Sequence, residues 1–132
     1  MKRSLPKPTP GELEILRVLW ARGPSTVRDV QEALGAEQTG YTTALKLMQI
    51  MADKGLLTRD ETARAHVYSA QAGEGDTQRQ LVRELLDRAF GGSASKLVMQ
   101  ALATTRATPD ELREIRQLIE RRSREEGRHD RD

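Results

Sequence analysis

Between Thr39 and Tyr68 the chain switches from a helical hydrophobic period to two short strand-like runs across a single glycine. Ala44, Leu47, Met48 and Met51 fall at i, i+3, i+4 and i+7, so they form one stripe of a helix. Gly55 ends that helix. Leu56-Leu57-Thr58-Arg59 then reads as a strand, the polar residues after it as a turn, and Ala65-His66-Val67-Tyr68 as the partner strand.

Two shorter helices precede this block. Thr9 is positioned to cap, Pro10 suits the first helical position, and Glu12 completes a capping box, so the first helix is expected over residues 10–21 and to end at Gly23-Pro24. Leu13, Leu16, Val18, Leu19 and Trp20 supply its apolar face. Ser25 is read as the cap of a second helix over residues 26–34, with Val27, Val30 and Leu34 on one side and Gly35 closing it. Three helices followed by a small hairpin is the element order of a winged helix-turn-helix. The predicted fold class is therefore mainly α with a small β-hairpin.

In a winged helix the third helix is the one that enters the major groove of DNA, while the hairpin meets the backbone or the minor groove. At about 100° per residue, the face opposite the buried stripe holds Thr42, Lys46, Gln49 and Asp53, flanked by Thr43, Leu45 and Ile50. Thr42, Thr43 and Lys46 are predicted to reach base edges or phosphates, and Gln49 is a candidate reader one turn further on. Tyr41 stands at the helix start with two readings open: its ring lies along a sugar with the hydroxyl toward a phosphate, or it pins the helix against the second one. Arg64, near the hairpin turn, is the expected backbone or minor-groove contact, with Arg59 and His66 beside it. Lys2, Arg3 and Lys7 form a basic arm over residues 1–8 that would add nonspecific attraction.

The net charge of +2 is weak support by itself, but it is unevenly placed. Residues 1–70 carry ten Lys/Arg against eight Asp/Glu, whereas residues 71–132 carry twelve of each. With no cysteine there is no disulfide or thiolate site, and no apolar run approaches the roughly 20 residues of a membrane span, so a soluble cytoplasmic protein is expected. The two histidines, His66 and His129, belong to no metal or catalytic constellation, and no glycine-rich phosphate loop is present. No enzyme and no cofactor are expected. Trp20, Met48, Met51 and Met99 read as core.

After the winged helix, expected over residues 9–72, three more amphipathic helices are predicted over residues 75–122. They carry Leu81, Val82, Leu85, Leu86, Ala89 and Phe90; then Leu97, Val98, Ala101 and Leu102; then, behind the capped start Thr108-Pro109-Asp110-Glu111, Leu112, Ile115, Leu118 and Ile119. About 40 residues are too few to bury such stripes against one another, which points to a symmetric homodimer through Leu81, Leu85, Leu97, Leu102, Leu112, Ile115 and Ile119. The alternative is that these helices pack back on the winged helix of the same chain. From Arg121 onward apolar residues cease, and residues 123–132 are expected to fray as a charged tail.

Thr9–Trp20, Ser25–Val30, Tyr41–Leu45, Lys54–Leu57 and Arg64–Tyr68, taken in order, resemble the BlaI/MecI family of penicillinase and methicillin-resistance repressors, from about Leu5 to Glu120. The resemblance implies a dimeric repressor on a palindromic double-stranded operator, with Thr42, Thr43, Lys46 and Arg64 as DNA contacts. It also implies relief by a membrane sensor with a metalloprotease domain. The bond cut in staphylococcal members joins asparagine to phenylalanine, and the matching position here is Gln100-Ala101. Lacking cysteine, the chain does not resemble the copper-responsive branch, so its inducer is open. A winged helix used only as a protein-contact adaptor remains the rival reading.

Overall fold

The structure, a computed structural model, describes residues 6–35 and 37–131. Lys2 and Arg3 of the expected basic arm lie outside them, as does the side chain of His129. Among the described residues the order is α1 (Pro10–Arg22), α2 (Val27–Leu34), α3 (Tyr41–Lys54), β1 (Leu57–Asp60), β2 (Val67–Ala70), α4 (Glu74–Ala89), α5 (Ala94–Thr104) and α6 (Pro109–Arg131). The fold is mainly α with one two-stranded antiparallel hairpin, as predicted. It divides into two compact units, one ending at Leu85 and the other beginning at Leu86.

Capping fixes where the helices of the first unit begin. Thr9 Oγ1 accepts from the Glu12 N–H at 3.2 Å while Glu12 Oε1 accepts from the Thr9 N–H at 2.9 Å, so α1 starts with the expected reciprocal box. For α2 the cap is Thr26 rather than Ser25: Thr26 Oγ1 and Asp29 make a second such box, with both bonds at 3.1 Å. Ser25 is instead held in a β-bridge to Tyr68, its N–H donating to Tyr68 O at 3.0 Å and its C=O accepting from the Tyr68 N–H at 2.8 Å. That bridge attaches the hairpin to the start of α2.

The hairpin pairs Leu57 with Ala70, Thr58 with Ser69, Arg59 with Tyr68 and Asp60 with Val67. Its first strand begins one residue later than predicted and its second strand two residues later. The chain reverses through Glu61–His66, a longer turn than the sequence suggested. Asp60 Oδ1 accepts from both the N–H and the hydroxyl of Thr62, at 2.9 and 2.7 Å, which starts that reversal.

A core of Ile15, Leu16, Leu19, Val27, Val30, Ala44, Met48, Met51, Leu56, Leu57, Tyr68 and Ala72 fills the space between α1, α2, α3 and the hairpin. Trp20 packs against it and donates from Nε1 to Ala72 O at 2.9 Å, tying α1 to the segment after β2. Among the described residues the buried carboxylate is Glu12, whose side chain is 3% exposed and meets Lys54 Nζ at 2.8 Å. Burial pushes its carboxyl up. The Lys54 ammonium and the Thr9 N–H and hydroxyl outweigh that and hold it below its ordinary value of 4.5.

At the end of α3, Gly55 takes φ +87°, the Gly55 N–H donates to Ala52 O at 3.2 Å and the Leu56 N–H to Met51 O at 2.9 Å. This Schellman ending turns the chain so that Leu56 and Leu57 enter the core. Lys7, assigned to the basic arm, is paired with Glu84 at 2.6 Å at the surface.

The second unit comprises the end of α4 together with α5 and α6. Ser93 caps α5, accepting from the Lys96 N–H at 3.2 Å, and Thr108 with Glu111 forms the expected box at the start of α6, both bonds at 3.1 Å. Neither α5 nor α6 buries a hydrophobic side chain. Met99, read from the sequence as core, is 69% exposed, because α5 offers its apolar side to no other described element that covers it. Helix α6 continues to Arg131, past the point near Arg121 where fraying was expected. Pairs from Arg122 to Glu125 and Glu126, at 3.8 and 3.6 Å, support that last stretch without apolar packing.

Candidate nucleic-acid interface

The buried stripe of α3 decides what its other side can present. Ala44, Met48 and Met51 are fully buried, so Tyr41, Thr42, Thr43, Lys46, Gln49 and Asp53 stand exposed. Five of these six are neutral polar or basic, and the acidic one, Asp53, lies in the last turn of the helix. The sequence reading therefore places Tyr41, Thr42, Thr43, Lys46 and Gln49 where they are accessible from solvent.

The exposed residues divide between two surfaces. Thr42, Thr43 and Lys46 crown the helix. Tyr41 and Gln49, with the half-buried Leu45, line a groove of about 360 Å³ between α3 and the hairpin. The hairpin lines the same groove with Arg59, Arg64 and His66, and the start of α2 contributes Thr26 and Arg28. Gln49, which the sequence set at the margin of the recognition surface, thus belongs to the groove between helix and wing.

Three cations have no carboxylate partner among the described residues: Arg28 and Arg64, which line the groove, and Lys46 on the exposed side of α3. A fourth, Arg59, is braced. The Tyr68 hydroxyl beside it on the neighbouring strand, and then the Glu61 carboxylate at 2.7 Å, hold its guanidinium above its ordinary value. Cations left unpaired around a groove draw polyanions, because a phosphate oxygen offers the partner that the protein withholds.

Arg28 is the residue that the sequence reading missed. Its guanidinium carbon stands 5.9 Å from the centre of the Tyr41 ring, within the range of a cation–π contact. The available signal was an arginine in the first turn of a helix, where a cation opposes the helix dipole. Tyr41 fits parts of both readings left open for it. It meets α2 through Arg28, yet it remains 45% exposed and so is free to touch a ligand.

The residues expected at a dimer contact are placed on α4, α5 and α6. Leu81, Leu97 and Ile115 are half-buried, while Leu85, Leu102, Leu112 and Ile119 are exposed. Gln100 and Ala101 lie inside α5, where the Thr104 hydroxyl donates to Gln100 O at 2.8 Å. Among the described residues no three of His, Cys, Asp or Glu come together as a metal site, and no helix is long and apolar enough to cross a membrane.

The penicillinase repressor of Bacillus licheniformis is 23% identical over 119 residues, 89% of this chain and 93% of that protein. The transcriptional regulator BlaI of Mycobacterium tuberculosis is 36% identical over 83 residues, 60% of each chain. Among solved structures, the DNA binding domain of the repressor BlaI in solution has a TM-score of 0.49 at 22% identity, covering 57% of this chain and 93% of that one. The monomeric form of Bacillus licheniformis BlaI in complex with the blaP half-operator gives a TM-score of 0.46 at 22% identity, covering 55% and 90%. The model of the penicillinase repressor family matches residues 8–121, and with its winged helix and exposed cationic groove this chain belongs to that family.

Proposed function

We propose that this chain is a cytoplasmic transcriptional repressor that binds a palindromic DNA operator as a homodimer. The face formed by α3 and the wing carries this reading. Thr42, Thr43 and Lys46 project from the first half of α3, and a cationic groove beside them reaches to Arg64. In this reading α3 lies in the major groove with Thr42, Thr43 and Lys46 at base edges and phosphates, and Arg64 meets the backbone. Membership of a repressor family supports the same assignment.

The dimer is supported by the exposed apolar side chains of the second unit, which no described element covers. Two copies related by a dyad would set their α3 helices on half-sites about one helical turn, roughly 34 Å, apart or a multiple of it. In this arrangement residues 9–72 bind DNA and residues 75–122 hold the two copies together.

The test is titration into a duplex of the chain's own upstream promoter at two salt concentrations, with an unrelated duplex of equal length as competitor. Competitor-resistant, salt-sensitive binding by two protomers per site is the expected result. Failure to bind any duplex in a salt-dependent manner would favour the protein-contact adaptor instead.

A further inference from the structure

The first turn of α2 holds an arrangement that stability alone does not explain. Val27, Arg28 and Asp29 occupy its first three positions. Asp29 suits that end of a helix, where the dipole is positive, and it closes the capping box with Thr26. Arg28 is the wrong sign for the same location. It has no carboxylate partner among the described residues to offset this, and its side chain is exposed. A residue that breaks a local rule without a compensating ion pair is expected where it serves a ligand.

Its surroundings say what kind of ligand. The guanidinium sits over the ring of Tyr41, 5.9 Å from the centroid, and both side chains line the groove that the wing also lines with Arg59, Arg64 and His66. A guanidinium drawn toward an aromatic face by a cation–π contact keeps N–H groups available, and its flat fork matches two oxygens of one phosphate. Tyr41 adds a hydroxyl at the rim.

We propose that Arg28 and Tyr41 work as one cation–π unit that seats a backbone phosphate of duplex DNA at the α2 end of the groove that Arg64 also lines. The inference rests on the DNA-binding reading above and deepens it. Arg28 is the phosphate contact, and Tyr41 is both the platform that orients it and a second donor. One strand of the duplex is thereby held between α2 and the wing, which fixes how far α3 enters the major groove. The pair positions the protein and reads no base, so its contribution is the same on any sequence.

The test uses the full chain and the two duplexes already described. Arg28→Gln is expected to weaken binding roughly tenfold, equally on the promoter and the unrelated duplex. It should also lower the slope of log affinity against log salt by about 0.9, the value for one phosphate. The melting temperature should stay level or rise, since a cation leaves the positive end of a helix. In a Tyr41→Leu background the Arg28→Gln effect should shrink to roughly threefold or less, whereas in Tyr41→Phe it should persist, because the ring and its cation–π contact remain.

Several results would overturn the proposal. An unchanged salt slope in Arg28→Gln removes the phosphate contact. A full tenfold effect surviving in Tyr41→Leu removes the cation–π unit and leaves Arg28 acting alone. Loss of affinity on the promoter only would make Arg28 a base reader. If the unaltered chain shows no salt-dependent binding to either duplex, the repressor reading falls first and this inference falls with it.

Discussion

The two units differ in where their apolar side chains end up. In the first, α1, α2, α3 and the hairpin enclose twelve buried apolar residues, and the buried Glu12 carboxylate is matched by Lys54. In the second, α5 and α6 carry comparable apolar stripes but bury none of them: Val98, Met99, Leu102, Leu112, Leu118 and Ile119 are all at least 40% exposed. Both units have well-capped helices, so local structure is not what separates them. The first completes a core from its own elements, and the second leaves its apolar stripes exposed.

The largest effect that would sharpen this contrast belongs to the first unit. Leu16 is fully buried among α1, α2 and α3, and Leu16→Ala should destabilise the winged helix by about 2 to 5 kcal/mol through lost burial and an unfilled cavity. Chemical denaturation followed by Trp20 fluorescence would show it as a shifted midpoint, since Trp20 packs on that core. The corresponding truncation in the second unit should behave in the opposite way. Ile119 is 55% exposed, so Ile119→Ala should cost the isolated chain little, within about 0.5 kcal/mol. It should weaken self-association by about 1.5 to 3 kcal/mol if a second copy buries that side chain. Sedimentation equilibrium separates the two effects, and an unaltered association constant would exclude Ile119 from the contact.

The same contrast governs what the sequence revealed. Helix starts set by three-residue capping patterns, Thr9 with Glu12 and Thr108 with Glu111, were legible because cap and partner are close in sequence. The exposed face of α3 was legible too, since a clean 3.6-residue stripe fixes its opposite side. What escaped depends on partners distant in the chain. Ser25 looks like a helix cap until Tyr68, 43 residues later, claims its backbone. Arg28 looks like ordinary surface until Tyr41 and the wing arrive beside it. Met99 lies on an apolar stripe, but a stripe does not reveal whether its cover lies within the chain.

A smaller effect tests the polar part of the first core. Glu12→Gln keeps one oxygen that can accept from the Thr9 N–H but puts an amide NH2 in place of the other and removes the charge that pairs with Lys54 Nζ, so it should cost about 1 to 2 kcal/mol, moderated because Lys54 is partly exposed to solvent. The same group predicts a pH dependence. Because the folded chain holds Glu12 below its ordinary value of 4.5, the stabilisation is fully present above that pH and is lost as pH falls through the folded value. The Glu12→Gln variant should therefore lose less stability than the unaltered chain between about pH 5 and pH 3. Parallel acid-denaturation curves for the two would contradict the assignment.

The smallest effect asks whether backbone strain is felt alike in the two units. Gly55 holds φ +87° at the end of α3, and a Cβ there would meet nothing within 4 Å, so Gly55→Ala should carry only a backbone cost of about 1 kcal/mol. Gly92, between α4 and α5, has φ +80° and equally open space, and the backbone term for Gly92→Ala should be similar. The consequences should nevertheless differ. Gly55 delivers Leu56 and Leu57 directly into a closed core, so relaxing its strain would displace buried side chains, and the cost should appear in full as a melting temperature lower by about 4 to 8 °C. Around Gly92 no buried apolar side chain opposes a small shift of the turn, so relaxation should absorb part of the cost and lower the melting temperature by less. Equal losses at the two glycines would mean that the second unit is held as rigidly as the first, which would contradict the expectation drawn from its exposed apolar stripes.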